Sequence, residues 1–361
     1  MAGSATGGHL YPALAVAERI KRRRPDAEFL FIAARWESSS DILNESGYGV
    51  QTIDARGFDR SNIFKNFSVL IDLARSDRQI REIFAEFQPD FVFGTGGYVC
   101  GPVVKAARKR GIPTYLHEQN VIPGVANKLA EKYADTVFVA FEESKAYFKH
   151  PEKIVVTGNP VRKSFITAGA MHYRQQLLIS PKDLAVMIFG GSQGADRLNE
   201  VVCDMLADLK DSDDLTVFFL TGRRLYEDVR RKMTDSGAIR NEKFHVIDYT
   251  ETIHEYYSAA DLVVGRSGAM TVSELAVLGK ASILIPSPNV TNNHQYYNAK
   301  TLADHGGAII MNESELTAAS LTNEILRLKA NKEQLNRMAE AAEKQGKPDA
   351  AGMIADVILK K

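Results

Sequence analysis

The strongest constraint on this chain is an alternation that runs twice along its 361 residues, short apolar runs of strand length separated by longer stretches with helical spacing. Runs at 28–33, 90–93, 114–117, 136–140 and 154–156 alternate with helical patterns at 12–23, 67–87 and 102–110. The pattern restarts at 185–189 and continues through 215–220, 244–247, 262–264 and 282–285. Such runs read as strands buried on both faces. Strand–helix alternation then requires parallel sheets with right-handed crossovers and helices on both sides. The fold class is therefore α/β, with two doubly wound, Rossmann-like domains: 1–160, then 161–340, followed by a helical tail over 341–361 that Gly346-Lys347-Pro348 should break. The join falls at Gly158-Asn159-Pro160, ahead of a polar, irregular stretch up to about Asp183. Ligands of open parallel sheets bind beyond the carboxyl ends of the strands, so two sheets facing each other would place a ligand in the cleft between them.

Composition removes several function classes. The 45 Lys+Arg balance the 45 Asp+Glu, whereas a nucleic-acid partner calls for a basic excess that displaces counterions from phosphates. Cys100 and Cys203 lie far apart and neither belongs to a CxxC pair. A disulfide framework, a structural zinc and a redox motif are not expected, and a reducing cytoplasm is the default compartment. No His/Cys/Asp/Glu group has metal-ligand spacing, so neither a metal nor a cofactor is called for. The D-x-D of Asp211-Ser212-Asp213 sits before an apolar run, where a solvated loop is expected. No run reaches the ~18 apolar residues of a membrane span.

Three glycine-rich turns carry the chemistry. Thr6-Gly7-Gly8-His9 precedes Pro12, Gly94-Thr95-Gly96-Gly97-Tyr98 precedes Pro102, and Gly190-Gly191-Ser192-Gln193-Gly194 follows the run at 185–189. Each joins backbone that can approach a ligand closely to the unpaired N–H groups of a helix start, with the prolines expected at the first helical turn; that arrangement suits phosphate. None spells a Walker loop or a full G-x-G-x-x-G. The third also reads G-x-S-x-G, so an α/β-hydrolase with nucleophile Ser192, acid Asp261 and base His294 or His305 is an alternative. Arg266-Ser267-Gly268-Ala269-Met270-Thr271-Val272-Ser273-Glu274 places Glu274 in the first turn of a further helix, where a carboxylate can accept from ribose hydroxyls or simply favour the helix dipole. His117-Glu118-Gln119-Asn120 gathers polar side chains at the end of an apolar run, and Asn292, Asn293, His294, Gln295 and Asn298 form a second polar run.

In this order and spacing, from about Thr6 to the C-terminus, these motifs together with Gly158-Asn159-Pro160-Val161-Arg162 resemble the MurG family of bacterial glycosyltransferases. The resemblance implies a GT-B fold and inverting transfer of N-acetylglucosamine from UDP-N-acetylglucosamine to the N-acetylmuramoyl 4-hydroxyl of lipid I, giving lipid II for peptidoglycan synthesis. It implies donor contacts at Thr6, Gly7, Gly8, Asn120, Arg162, Ser192, Thr250, Glu274 and Gln295, with Thr250 standing where relatives carry an apolar residue. The acceptor diphosphate falls to Gly96, Gly97 and Tyr98, and the general base to His9 or His117, with His9 favoured for its place in a turn. Rival readings are a GT-B transferase with another sugar or lipid acceptor and a nucleotide-sugar-binding protein without activity. Because the acceptor's lipid tail stays in the bilayer, the resemblance also implies a peripheral position on the cytoplasmic side of the cell membrane. Ile63, Phe64, Phe67, Leu70 and Ile71, beside Arg60 and Lys65, form a stripe suited to an anionic lipid surface. One departure stands out. The family has an apolar strand before the first turn, whereas Met1-Ala2-Gly3-Ser4-Ala5 is small and not strand-like. The first, central strand is therefore expected to be missing, and the natural start to lie upstream.

Overall fold

Each half of the alternation builds its own all-parallel sheet. The computed structural model describes residues 1–4, 6–37, 41–55, 66–167 and 169–360, with side chains described except at 37, 41 and 66–74. The first sheet comprises β1 (Ala2–Gly3), β2 (Leu30–Ala34), β3 (Gly49–Ile53), β4 (Val92–Gly96), β5 (Thr114–Glu118), β6 (Thr136–Val139) and β7 (Ile154–Val156), in the order β3-β2-β1-β4-β5-β6-β7. The second comprises β8 (Leu184–Phe189), β9 (Leu215–Leu220), β10 (Phe244–Ile247), β11 (Leu262–Gly265), β12 (Ala281–Leu284) and β13 (Ala308–Ile310), in the order β10-β9-β8-β11-β12-β13. Strand order reverses between β1 and β4 in one sheet and between β8 and β11 in the other. Those switch points are where crossovers diverge to opposite faces and leave a crevice at the carboxyl ends.

The chain divides into two compact units, Met1–Arg162 with Lys347–Lys361, and Lys163–Gly346. Residues 341–361 do not form a tail of their own. The helix Lys332–Glu343 belongs to the second unit, whereas Ala350–Leu359 lies on the helix Gly7–Arg23 of the first and buries Ile354 and Ala355 in the cluster that holds Val16 and Ile20. The opposite face of the first sheet is covered by the helices Asn66–Phe87 and Gly97–Arg108, through Ile80, Phe84, Val99, Val103 and Val104. In the second unit one cluster joins Val186, Ile188, Val217 and Phe219 to Leu198, Val202 and Leu206 of the helix Asp196–Asp208.

Several expectations need correction. The first strand is present: β1 is two residues long yet occupies the central position, pairing Ala2 with Ile32 on one side and Gly94 on the other. Small residues suit it, because a Cβ at Gly3 would run into the Thr95 side chain. The strands β3 and β13 went unmarked in the sequence. Both are edge strands, and β3 alternates in exposure, so neither needs a continuous apolar run. The stretch after Arg162 carries two short helices, Lys163–Ile166 and Ala170–Gln176. Finally, two helices begin five residues ahead of the prolines expected to start them, at Gly7 rather than Pro12 and at Gly97 rather than Pro102.

Candidate functional site

In the first unit the two glycine turns meet at the switch point. Thr6 caps the helix Gly7–Arg23, so the N–H groups of Gly7, Gly8 and His9 lie in its first turn; the helix Gly97–Arg108 starts likewise from Gly96. Gly96 has φ +111° and Gly97 φ +79°, conformations that favour glycine, and the space is also closed: a Cβ on Gly96 would lie 2.9 Å from His9 Cε1, and one on Gly97 2.7 Å from Ser4 Cβ. Tyr98, in the first turn, is exposed. Arg162 stacks its guanidinium 4.3 Å above the ring of Tyr11, which itself lies against Gly7. Sequence reading missed Tyr11, since an aromatic one turn into a helix is an ordinary core residue.

The imidazole of His9 reaches across to β4. Its Nδ1 is 2.7 Å from the Thr95 carbonyl and 3.0 Å from Gln119 Oε1. Both neighbours are acceptors, so Nδ1 carries a proton, and in the neutral tautomer that this fixes, the lone pair is on Nε2. His117 is different. It is fully buried, with Nε2 3.2 Å from the Gly158 carbonyl and Nδ1 3.0 Å from Gln119 Nε2, and burial pushes its pKa down to about 4 against the opposing pull of the Gly158 carbonyl. With both nitrogens bonded inside the protein, His117 has no free position for a substrate proton, which corrects its candidacy as a base. Glu118, also buried, accepts from the Asn120 and Gly124 amides and from the Asn127 side chain, and so holds Asn120 at the strand end.

In the second unit a cavity of about 480 Å³ opens beyond β8 and β11. Gly190, Gly191 and Gly194 form one wall and Gly268 with Thr271 another, so the starts of the helices Asp196–Asp208 and Ala269–Leu278 both border it. Two helix N-termini bordering one hollow bring two positive dipole ends to it, an arrangement that suits an anion. Gln295 lines it too, its Oε1 accepting from the Ser287 amide at 2.9 Å, which leaves its NH₂ for a ligand. Arg266 closes the side: it donates to the Ile285 and Pro286 carbonyls and pairs with Glu313, which the chain supplies from beyond β13.

The other expected donor residues are placed less directly. Ser192 is exposed at the tip of the glycine turn, where Gly194 N–H closes on the Gly191 carbonyl at 2.9 Å. Glu274 is the sixth residue of its helix rather than in the first turn, and is buried. Thr250 Oγ1 accepts from the Thr252 amide at 3.1 Å and organises the entry to the helix Ile253–Ala259. Neither Glu274 nor Thr250 lines the cavity. Ile63 and Phe64 lie outside the described residues, as does the side chain of Phe67.

The hydrolase alternative fails on geometry. Asp261 pairs with Arg174 at 2.8 Å and accepts from the Ala185 amide at 2.8 Å, at the amino end of β8. Ser192 lies beyond its carboxyl end, and the strand from Ala185 to Phe189 alone spans roughly 13 Å at the rise of an extended chain. His294 and His305 turn their Nδ1 atoms to the carbonyls of Thr291 and Thr301. The carboxylate of Asp214 in the acidic loop is engaged by Lys329, Lys243 donates to the Asp213 backbone carbonyl, and among the described residues no group of three or more His, Cys, Asp or Glu comes together as a metal site.

Residues 1–139 match the glycosyltransferase family 28 N-terminal domain and residues 185–354 its C-terminal domain. Over 358 residues the chain is 39% identical to the UDP-N-acetylglucosamine--N-acetylmuramyl-(pentapeptide) pyrophosphoryl-undecaprenol N-acetylglucosamine transferase of Bacillus subtilis, covering 99% of this chain and 98% of that one. The crystal structure of Acinetobacter baumannii MurG superposes with a TM-score of 0.77 at 30% identity, over 100% of this chain and 99% of that one. The chain belongs to the MurG family, within glycosyltransferase family 28. A relative of the same name from Desulforamulus reducens is 38% identical over 99% of this chain and 95% of its own. The two Rossmann-like sheets are thus the GT-B fold of family 28, and the glycine turns of this MurG-family chain stand at the switch point of each sheet.

Proposed function

We propose that this chain transfers N-acetylglucosamine from UDP-N-acetylglucosamine to the 4-hydroxyl of the N-acetylmuramoyl residue of lipid I, forming a β-1,4 linkage and lipid II. The observation that carries this reading is the full-length likeness, 38–39% over 358 residues, to transferases named for those substrates. The second unit takes the donor. Its diphosphate sits against the amides of Gly190–Gly194 and Gly268–Thr271, with Ser192, Thr250, Glu274 and Gln295 completing the set. The family resemblance also assigns donor contacts to Thr6, Gly7, Gly8, Asn120 and Arg162, and the acceptor diphosphate to Gly96, Gly97 and Tyr98.

The acceptor oxygen attacks the anomeric carbon on the face opposite UDP. The bond from that carbon to the β-phosphate oxygen breaks with its electron pair, and the hydroxyl proton passes to Nε2 of His9. Charge grows on the departing UDP, and preorganised main-chain N–H groups stabilise it most where it is greatest. His9 is the base because its tautomer presents a lone pair on Nε2. Radiolabelled UDP-N-acetylglucosamine with a lipid I analogue tests the reading. Labelled lipid II is expected; donor binding without transfer would make this a binding protein, and transfer only from another sugar nucleotide would redirect the assignment.

The lipid acceptor requires contact with a bilayer, and no helix among the described residues is long and apolar enough to cross one. A peripheral position on the cytoplasmic face is therefore proposed, through Ile63, Phe64 and Phe67. Val125 and Leu129, exposed one turn apart on the helix Val125–Ala130 of the same unit with Lys128 between them, support such a surface. Co-sedimentation with anionic liposomes is expected to fall in the Phe64→Ser, Phe67→Ser double variant, and undiminished binding would refute this contact.

A further inference from the structure

We infer that Gln119 is a positioning residue that locks His9 in the tautomer able to accept a proton, through a relay that begins at the Gly158 carbonyl. This inference rests on the assignment of His9 as base. The chain of constraints runs in one direction. The Gly158 carbonyl can only accept, so the Nε2 of His117 beside it, 3.2 Å away, must bear the proton, and Nδ1 of His117 must accept. Gln119 Nε2 lies 3.0 Å from that Nδ1, 3.0 Å from the Thr95 carbonyl and 3.1 Å from the His117 carbonyl. Three acceptors around one end of the amide identify it as the NH₂. The other end, Oε1, then faces His9 Nδ1 at 3.0 Å, where it can only accept. Gln119 is itself buried, and its carbonyl takes a hydrogen bond from Asn159 at 3.1 Å, so backbone and side chain are both held. Flipping the amide would set its oxygen against two carbonyls and leave a donor against a donor, at a cost of the order that buried unpaired polar groups carry. An orienting group behind an imidazole is how hydrolytic triads fix their base, although here a neutral amide replaces the carboxylate. An amide fixes direction without adding charge, so it does not stabilise the protonated ring ahead of the reaction.

The titratable neighbours leave this arrangement undisturbed near neutrality. His117 on β5 has its pKa pushed down to about 4 and the Cys100 thiol on the helix after β4 is pushed up to about 12, both by burial. Glu118 is tied to Asn120, Gly124 and Asn127, and the Arg162 guanidinium stacks on Tyr11.

Nitrogen NMR of the full-length protein labelled at histidine, with the His9 signals assigned by their loss in His9→Ala, reads the tautomer directly. Wild-type protein is expected to show a protonated Nδ1 and an unprotonated Nε2; the reverse pattern overturns the inference without any variant. Gln119→Met, which keeps volume but cannot hydrogen-bond, leaves the Thr95 carbonyl at 2.7 Å as the remaining acceptor for Nδ1–H, and is expected to raise the minor tautomer measurably and to lower kcat ~10-fold with little change in donor KM. Retention of the wild-type nitrogen pattern in that variant also overturns it. In Gln119→Glu a carboxylate beside Nδ1–H favours the imidazolium, so the acidic limb of kcat/KM should move to higher pH; a fixed limb counts against the contact. Wild-type turnover in His9→Ala would refute the base assignment alone, since the nitrogen shifts judge Gln119 whatever that result.

Discussion

At the residue scale, the two histidines beside the glycine turns do opposite things because of their surroundings. His9 is half-buried with one nitrogen engaged, and removing it as His9→Ala is expected to lower turnover ~10²-fold, the range of lost general-base catalysis, in the radiolabel transfer assay. His117 is buried and neutral, which couples folding to pH. Its folded pKa of about 4 lies below the ordinary 6.5, so between those values the unfolded chain binds the extra proton. Stability from this group is complete above pH 6.5 and is lost as pH falls toward 4, by about 3 kcal/mol. Urea midpoints measured across that window should fall steeply for wild type and less steeply for His117→Gln; equal slopes would contradict the burial argument. Of these residues, His9 was legible as a turn histidine. The different role of His117 was not, because it depends on Gly158 and Gln119, 41 and two residues away.

At the scale of elements, the turn after β4 shows how a glycine's role depends on its neighbours. Gly96→Ala meets both a left-handed backbone and the imidazole of His9, so it should destabilise by roughly 1–3 kcal/mol and depress turnover as well. Gly101→Ala, in the same helix with nothing within 4 Å of the added carbon, should instead stabilise by roughly 0.5–1 kcal/mol. Chemical denaturation of the two variants distinguishes these signs, and a shared sign would mean that the close approach at Gly96 is not what holds the turn. Sequence placed the helix starts at Pro12 and Pro102 because proline favours the first turn. After β4 the helix follows at once at Gly97, and after β1 it starts at Gly7, so each proline sits inside its helix and removes one internal bond.

At the scale of the whole molecule, the chain returns to its first unit after completing the second. Ile354 is fully buried against the helix Gly7–Arg23, so Ile354→Ala should cost about 2–5 kcal/mol. Hydrogen exchange should show lost protection in the helix Gly7–Arg23 and in β2, while β8 and β9 keep theirs; loss confined to the second unit would refute this grouping. The sequence alone determined that there are two parallel sheets, because strands covered on both faces must be apolar throughout, and β8 and β9 are buried along their whole length. It also marked the glycine turns, since close backbone approach leaves no choice of residue. Only the tertiary structure decided that the two-residue β1 holds the centre of its sheet, that β3 and β13 exist at the edges, and that Gln119 joins His117 to His9. Those features draw on partners as much as 110 residues away, and hydrogen bonds at that separation leave no period in the local pattern.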